Sequence, residues 1–259
     1  MSSNNLDYPQ FSLTDKVALV TGAGKGLGRA CALALAHAGA DIALGLRDAT
    51  TASDLESEIK EMGREVIRIQ MDVSTVTEIR NAVEEVITRF GRIDILVNNV
   101  GVAPANPAEK VTESDYDLTM NLNVKSMFFT SQTVASHMIK QGGGRIINMS
   151  SQAGSITLDD ESVYCISKAA VNHMTKNLAS EWAKYNIQVN AVAPTFIETP
   201  GTEPWLKNHE FRQSVLDRIP LGRIGKPMEV AGVVLFLASK AASLITGEIV
   251  VIDGGWTLK

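Results

Sequence analysis

The strongest constraint on the fold is a regular alternation between short apolar runs and longer segments with helical periodicity. Seven apolar runs have the length and composition of strands: residues 16–20, 42–46, 65–70, 93–97, 145–149, 188–192 and 248–252. Between several of them, apolar residues recur at the spacing of an amphipathic helix, as in residues 27–38, 52–62 and 79–90. Strands joined through helices need crossover connections. The sequence therefore predicts an α/β fold, a doubly wound parallel sheet of about seven strands with helices on both faces.

The chain is short for two domains and long enough for one large α/β domain. Its 259 residues therefore predict a single domain over residues 1–259. The alternation breaks at residues 194–227, which show no clear strand and hold five of the eight prolines together with Trp205 and Phe211. A long irregular insertion inside a compact domain is usually a binding element or a lid. We predict a substrate-binding insertion at residues 194–227.

The composition excludes several classes of partner. The net charge of −5 disfavours nucleic acid, whose phosphates attract basic surfaces. No apolar run reaches the roughly 18 residues of a membrane span, and the first ten residues lack the pattern of a signal peptide. Cys31 and Cys165 lie far apart without metal-ligand spacing, and the four histidines share no motif, so we predict no metal site. Reduced cysteines fit a cytoplasmic location.

A glycine-rich segment, TGAGKGLG at residues 21–28, lies between the first predicted strand and the first predicted helix. A helix N-terminus presents unpaired amide groups and the positive end of its dipole, which favour a phosphate. Glycines permit the tight turn and let the backbone approach a pyrophosphate. The position between strand and helix therefore predicts a dinucleotide-binding turn.

This segment has three other interpretations. A P-loop needs Ser or Thr directly after its lysine, and Lys25 is followed by Gly26, so that interpretation fails. Methyltransferases that bind adenosylmethionine share the glycine spacing but usually carry an acidic residue where Thr21 stands. A turn that serves only helix-to-sheet packing is the purely structural alternative.

The end of the second predicted strand bears on which dinucleotide binds. NAD sites usually place an acidic residue there to accept the ribose hydroxyls, whereas a nearby arginine suits the 2′-phosphate of NADP. Leu46 occupies the acidic position, Arg47 follows it, and Asp48 comes one or two places late. Lys25 adds a second cation inside the glycine turn. These residues favour NADP(H), with NAD(H) as the alternative.

Tyr164 and Lys168 lie four residues apart in a helical pattern, so they share one helix face. To act as a base at neutral pH, the pKa of a tyrosine must fall by about 3 units, which costs roughly 4 kcal/mol. An ammonium group about 4 Å from a phenolate supplies on the order of 4 kcal/mol at an effective dielectric of 20. Proton transfer by Tyr164 is therefore a reasonable expectation, although such a spacing alone also occurs in ordinary amphipathic helices.

With these motifs together, the chain resembles the short-chain dehydrogenase/reductase family over nearly everything after Ser12. The family's motifs match Thr21, Gly22, Gly26 and Gly28 in the glycine turn, Asp72-Val73, Asn98-Asn99-Val100-Gly101, Ser151 thirteen residues before Tyr164, and the Tyr164 and Lys168 pair. The resemblance implies a Rossmann-like fold and hydride transfer between a nicotinamide and a carbonyl or alcohol. It also implies a homotetramer, formed through residues 230–237 and 248–256.

The resemblance also assigns roles to individual residues. The implied catalytic residues are Asn123, Ser151, Tyr164 and Lys168. The predicted cofactor-binding residues are Thr21, Gly22, Lys25, Gly26, Leu27, Gly28, Arg47, Asp72, Val73, Asn99, Gly101, Tyr164, Lys168, Pro194, Ile197 and Thr199. Asn121 and Ser150 are neighbouring candidates, but the family intervals to Phe128 and to Tyr164 favour Asn123 and Ser151. Thr195 departs from the family, which usually has glycine there.

In the implied mechanism, Ser151 and Tyr164 hydrogen-bond the substrate oxygen and Tyr164 exchanges a proton with it. Lys168 binds the nicotinamide ribose, and Asn123 holds a water through its helix backbone. A 3-oxoacyl thioester, a sugar or polyol, and a simple ketone are all open as substrates. The acidic residues 159–161 predict poor activity on anionic substrates. The alternatives are an NAD-preferring polyol or sugar dehydrogenase and a non-catalytic dinucleotide-binding protein.

Overall fold

The computed structural model describes residues 8–258 and contains one sheet of seven parallel strands in the order β3-β2-β1-β4-β5-β6-β7. The strands are β1 Val17–Thr21, β2 Asp41–Leu46, β3 Val66–Gln70, β4 Ile95–Asn98, β5 Gly144–Met149, β6 Ile187–Pro194 and β7 Ile249–Ile252. The predicted α/β fold and its seven-stranded parallel sheet are confirmed. The helical periodicity also located the first three helices correctly.

The helices lie on both faces of this sheet. They are α1 Gly26–His37, α2 Ser53–Glu61, α3 Val76–Phe90, α4 Glu113–Met120, α5 Ser126–Gln141, α6 Ser162–Trp182, α7 Glu203–Leu206, α8 His209–Arg218 and α9 Pro227–Ala238. Apolar residues of α1, α2 and α9 form one buried cluster with the sheet, and residues of α3, α5 and α6 form another on the opposite face. The fold is therefore a three-layer sandwich.

Strand β1 shows why the predicted strands are continuously apolar. Ala18 and Val20 belong to the core under α1 and α9, whereas Leu19 belongs to the core under α3, α5 and α6. Successive side chains of a strand point to opposite faces, so a strand covered on both faces needs apolar residues throughout. All three side chains are fully buried.

The strand order reverses at β1, which pairs with β2 on one side and β4 on the other. Crossovers therefore leave this point in opposite directions and open a crevice at the carboxyl ends of the strands. The glycine turn follows β1 and the Asn-Asn-Val-Gly segment follows β4, so both lie at this crevice.

The irregular stretch at residues 194–227 contains the end of β6, both short helices α7 and α8, and the first residue of α9. A small apolar cluster joins them: Leu206, Val215, Ile219, Ile224 and Trp256. Ile156 and Leu158, from the loop before α6, pack against the same cluster. The insertion therefore lies against the loop that precedes Tyr164. Within residues 8–258, no helix has both the length and the apolar character needed to cross a membrane.

Candidate active site

The glycine turn is built for the close approach of a ligand's phosphates. Gly22 and Gly26 have left-handed backbones, with φ of +63° and +57°. A Cβ added to Gly28 would lie 2.3 Å from the carbonyl oxygen of Gly22, so α1 can pack here only without a side chain. Lys25 precedes α1 without capping it through its side chain. The first amides of a twelve-residue helix are thus available to a phosphate, and the turn fits the pyrophosphate of a dinucleotide.

Asn99 and Thr21 fix this turn to the next strand of the sheet. The Asn99 amide nitrogen donates to Thr21 Oγ1 at 3.0 Å, and Asn99 Nδ2 donates to the backbone oxygens of Thr21 at 3.0 Å and Gly22 at 3.3 Å. Both residues were predicted to bind the cofactor. The structure places them behind the glycines, where they shape the turn.

The end of β2 carries the groups that bear on the form of the dinucleotide. Leu46 is buried, while Arg47 and Lys25 are exposed. Within residues 8–258, neither of these cations has an ion-pair partner, whereas Arg29 of α1 is paired with Asp54 and Glu58.

Asp48 is the carboxylate that could instead bind the ribose hydroxyls of NAD, and it is hydrogen-bonded within its own loop. Asp48 Oδ1 accepts hydrogen bonds from the amide of Thr50 at 2.9 Å and from Thr50 Oγ1 at 2.6 Å. The hydrogen bonds from Thr50 lower the pKa of Asp48. An acceptor used in this way is less free to bind ribose hydroxyls.

The remaining predicted cofactor residues line the same edge of the sheet. Val73 is buried and Asp72 accepts a hydrogen bond at Oδ1 from the amide of Ser74 at 2.9 Å. A Cβ on Gly26 would lie 3.5 Å from Thr199 Cβ, so the start of the insertion lies over the glycine turn. Leu27, Pro194 and Ile197 lie at the start of α1, the end of β6 and the segment after it.

Asn123 lies in a π-helical turn, Asn121–Lys125, between α4 and α5. Its side chain is fully buried: Oδ1 accepts from the amide of Val102 at 2.8 Å, and Nδ2 donates to Val102 O and to Ser167 Oγ, each at 2.9 Å. Asn121, the other candidate, is exposed. The π turn thus joins the loop after β4 to helix α6, at the kind of irregularity that often marks a functional site.

Lys168 lies at the centre of this arrangement. Its Nζ donates to the carbonyl oxygen of Met149 at 2.8 Å and lies 5.5 Å from the centre of the Tyr164 ring. A Cβ on Gly101 would come within 3.4 Å of this nitrogen and 3.2 Å of Asn123 Oδ1. The glycine at position 101 therefore leaves room for a ligand-binding ammonium group.

The two adjacent serines have different partners. Ser151 Oγ donates to the carbonyl oxygen of Pro194 at 3.4 Å, accepts from the amide of Ala153 at 3.2 Å and interacts with the Tyr164 hydroxyl. Ser150 Oγ donates to Asn172 Oδ1 of α6 at 2.6 Å. Ser151 is thus the serine beside the phenol, and Ser150 fastens β5 to α6.

The electrostatics of the tyrosine and lysine differ from the expectation of a directly lowered tyrosine pKa. Burial raises the pKa of Tyr164 to about 12, opposed by the hydrogen bond with Ser151, while burial lowers the pKa of Lys168 to about 8. The separation exceeds the 4 Å used in the sequence argument, and Lys168 is engaged by Met149 O. In the protein alone, desolvation therefore outweighs the attraction between phenolate and ammonium.

Three polar groups near the reactive residues are not among the predicted site residues, although the acidic residues 159–161 include one of them, Glu161. Gln152 Oε1 and Thr195 Oγ1 are buried and have no hydrogen-bond partner within residues 8–258. Glu161, directly before α6, has its pKa raised by burial, and its charge raises the pKa of Tyr164. The departure from glycine at Thr195 pointed to one of them. The backbone at Thr195 avoids the left-handed region, and its amide donates to Ile252 O at 3.1 Å.

No cluster of three or more His, Cys, Asp or Glu side chains suited to a metal occurs in the part of the chain that the structure describes. The arrangement brings a phenol, a hydroxyl group and an ammonium group together near the crevice at the carboxyl ends of the strands. Such a set can polarise and protonate a carbonyl oxygen, or accept a proton from an alcohol.

Known proteins resemble this chain over almost its whole length. Residues 22–257 match a family model described as enoyl-(acyl carrier protein) reductase. An NAD-dependent glycerol dehydrogenase from Listeria innocua is 43% identical over 255 residues, covering 96% of each chain. A 3-oxoacyl-(acyl-carrier-protein) reductase from Thermotoga maritima is 43% identical over 243 residues, covering 94% of this chain and 98% of the relative. A gluconate 5-dehydrogenase from Burkholderia cenocepacia, solved with NADP and tartrate, superposes with a TM-score of 0.93 at 34% identity, covering 97% of this chain and 98% of that one.

Proposed function

The chain belongs to the short-chain dehydrogenase/reductase family, whose members act on CH–OH or C=O groups with a nicotinamide dinucleotide, and on this premise we propose that it transfers a hydride between NADP(H) and a carbonyl or secondary alcohol substrate. The observation that carries the proposal is the convergence of Ser151, Tyr164 and Lys168 beside the glycine turn. A non-catalytic scaffold would have no use for that convergence.

In this proposal, Tyr164 is the general acid of carbonyl reduction. Its raised pKa keeps the phenol protonated at neutral pH, so it can donate a proton to the substrate oxygen. Ser151 donates a second hydrogen bond to that oxygen and stabilises the charge that develops there. In alcohol oxidation the same groups act in reverse, with Tyr164 accepting the proton.

Lys168 and Asn123 position the reacting groups. Lys168 would bind the ribose next to the nicotinamide, and the absence of a side chain at Gly101 leaves space beside its Nζ. Asn123 connects the first residues of the loop after β4 to α6 through hydrogen bonds with Val102 and Ser167. Gly22, Gly26, Gly28 and Thr199 would hold the dinucleotide, which when bound would supply or accept the hydride.

We propose a preference for NADP(H). It is supported by the exposed Lys25 and Arg47, by the apolar Leu46 and by the engagement of Asp48 with Thr50. The alternative, an NAD-preferring polyol dehydrogenase, is favoured by the NAD dependence of the glycerol dehydrogenase relative. The ratio of kcat/KM for NADPH to that for NADH decides between them. Arg47→Ala should lower this ratio about tenfold, or about 1.4 kcal/mol; a ratio below one in the wild type would overturn the preference.

The substrate is proposed only as a class: a 3-oxoacyl thioester, a sugar or polyol, or a simple ketone. The relatives include a polyol dehydrogenase, an oxoacyl reductase and a sugar-acid dehydrogenase, which supports this breadth. The decisive experiment is a spectrophotometric screen of NADPH and NADH oxidation with these carbonyl compounds as acceptors, in parallel with Tyr164→Phe.

Tyr164→Phe should lower kcat by about 10²–10⁴-fold, the contribution typical of a general acid. Fluorescence titration should give nearly unchanged affinity for NADPH, since the substitution removes only one oxygen. Tyr185→Phe, at an exposed tyrosine three residues beyond the end of α6, is the matched control and should keep full activity. Undiminished turnover by Tyr164→Phe would rule out the assignment.

We propose a homotetramer in the cytoplasm. A tetramer with dihedral symmetry needs two different isologous contacts. One surface is the edge strand β7, where Val251 is 42% exposed, and another is an apolar groove of about 630 Å³ between α4–α5 and α6, lined by Met120, Phe128 and Met174 among others. The two cysteines are free, which agrees with a reducing compartment.

A further inference from the structure

Glu161 lies where the segments that border the substrate side of the crevice meet. It directly precedes α6, and its carbonyl oxygen accepts from the amide of Cys165 at 2.9 Å. Its neighbour Asp160 accepts at its carbonyl oxygen from the amide of Asn106 at 2.7 Å, so the loop after β4 docks here. Leu158, whose carbonyl accepts from the amide of Glu161, packs against the insertion.

Glu161 lies one helical turn before the reactive phenol in sequence. Glu161 and Tyr164 are three residues apart at the start of one helix, and residues at this spacing are neighbours on its surface. The charge of Glu161 raises the pKa of Tyr164, which places the two groups within electrostatic reach. A molecule that exchanges a proton with Tyr164 therefore binds within the electrostatic reach of this carboxylate.

This carboxylate has no protein partner in the part of the chain that the structure describes. It does not cap α6, and it forms no ion pair with a lysine or arginine within residues 8–258. Glu161 is half-buried, and burial raises its pKa. An ionised carboxylate accepts hydrogen bonds only, and a partly desolvated one is stabilised by a donor. A hydroxyl group of a ligand in the crevice can be that donor.

Two further oxygens at the same edge of the sheet are also unpartnered. Ser151 Oγ contacts Pro194 O at 3.4 Å, and the residues that follow these two are Gln152 and Thr195. Gln152 is 1% exposed, and Gln152 Oε1 and Thr195 Oγ1 are buried without hydrogen-bond partners among residues 8–258. Buried polar atoms of native proteins are nearly always paired. Two buried oxygens beside the contact between Ser151 and Pro194, one of an amide and one of a hydroxyl, are thus unsatisfied within the described residues.

We infer that Glu161 is a specificity-determining residue that accepts a hydrogen bond from a substrate hydroxyl next to the reacting carbon, so that the enzyme selects neutral polyols with vicinal hydroxyl groups. The inference rests on the proposed oxidoreductase activity and names its substrate class. A hydroxyl group of such a substrate can donate to the unpartnered Glu161 carboxylate. A carboxylate substrate is repelled by Glu161, and a simple ketone leaves it unpartnered.

The test compares three alcohols of four carbons that share a CH(OH)CH₃ group. These are 2,3-butanediol, 2-butanol and 3-hydroxybutyrate, each oxidised with the cofactor that the wild type prefers. The wild type should show a kcat/KM for the diol at least tenfold above that for 2-butanol, with 3-hydroxybutyrate lowest. Glu161→Gln should lower the ratio of diol to 2-butanol about tenfold, because a neutral acceptor forms a weaker hydrogen bond. Glu161→Gln should also raise the kcat/KM for 3-hydroxybutyrate relative to that for 2-butanol.

Two variants distinguish this role of Glu161 from the effects of removing any nearby negative charge and of destabilising the fold. Asp159→Asn makes the same chemical change at an exposed position two residues away, and both ratios should stay at their wild-type values. Glu161→Asp keeps the charge and shortens the side chain, so it should lose the diol preference and still reject 3-hydroxybutyrate. Ratios within one variant cancel any shift in the pKa of Tyr164 and any partial unfolding.

The outcomes distinguish the two proposals. Hydride transfer with all three alcohols and unchanged ratios in Glu161→Gln would overturn the role of Glu161 and leave the oxidoreductase proposal intact. A wild-type preference for 3-hydroxybutyrate, or for the cationic 3-amino-2-butanol over the diol, would overturn it as well. Absence of transfer with every alcohol and every ketone would overturn both proposals.

Discussion

Ser150 and Ser151 are neighbours in sequence, yet their hydroxyl groups face different tasks. Ser151 interacts with the Tyr164 hydroxyl, whereas Ser150 donates to Asn172. Ser151→Ala should lower kcat by about 10²–10³-fold, the cost typical of removing one donor to a developing oxyanion. Steady-state kinetics with saturating cofactor measures this loss.

Ser150→Ala serves as the matched variant. It leaves the Asn172 carbonyl without its donor, so it should cost about 1–3 kcal/mol of unfolding free energy in urea while kcat changes little. A mild kinetic effect at Ser151 together with a severe one at Ser150 would show that the other serine is catalytic.

The pH dependence of the two reaction directions should differ because Tyr164 is protonated at neutral pH. Alcohol oxidation needs the phenolate, and below the pKa its fraction rises about tenfold per pH unit, so oxidation should accelerate from pH 7 to pH 9. Carbonyl reduction uses the phenol and should not accelerate over that range; it should decline as Lys168, whose pKa burial lowers to about 8, loses its charge. The charge of Glu161 raises the pKa of Tyr164, so Glu161→Gln should move the oxidation profile to lower pH. A shift to higher pH would contradict this electrostatic assignment.

The sequence identified Tyr164 and Lys168 as neighbours, because four-residue spacing on a helix is a local property. The direction of the tyrosine pKa was wrong for the protein alone, since desolvation depends on distant segments that close over the phenol. The three unpartnered acceptors could not be found from the sequence either, because a hydrogen bond that is missing shows only when all neighbours are placed. Two of them carried a signal in the sequence: Thr195 through its departure from glycine, and Glu161 through the acidic residues 159–161.

At the scale of elements, the turn between β1 and α1 tolerates no side chain at Gly28. Gly28→Ala would place Cβ 2.3 Å from Gly22 O, and the required shift should cost about 1–3 kcal/mol, as overpacking does. Because the shift moves the amides that face the phosphates, affinity for NADPH should fall more than tenfold in a fluorescence titration.

Gly232 provides the control for Gly28. It lies exposed in α9 with no atom within 4 Å of an added Cβ, so Gly232→Ala should stabilise the protein by about 0.5–1 kcal/mol and leave cofactor affinity unchanged. Thermal unfolding of both variants measures the contrast. Equal effects at the two positions would mean that the glycine turn has no special geometry.

The strands and the first helices were predictable because each carries a hydrophobic period of its own. Helices α7 and α8 were missed because both are short and depend on Val215, Ile219 and Trp256, a cluster whose members come from different parts of the chain. The π turn at Asn121–Lys125 left no trace in the periodicity. Its cause is tertiary: Asn123 is held by Val102 on one side and Ser167 on the other.

At the scale of the whole molecule, two separate apolar surfaces predict assembly into tetramers. Light scattering should give a mass of four chains, and Val251→Lys or Phe128→Lys should each yield dimers, because each substitution charges only one of the two surfaces. Met62→Lys, on a comparably exposed side chain at the end of α2, should leave the tetramer intact. A monomeric wild type would contradict the assembly.

Asn123 has a consequence for how such an enzyme diversifies. Its side-chain amide forms hydrogen bonds with the backbone N–H and C=O of Val102. It also donates to the hydroxyl group of Ser167, one residue before Lys168. The start of the loop after β4 is therefore held in place at Val102. Residues of the loop beyond Val102 can change in number and type without moving Lys168. Substitutions in that loop can therefore change which substrate binds, while the residues that transfer the proton stay the same.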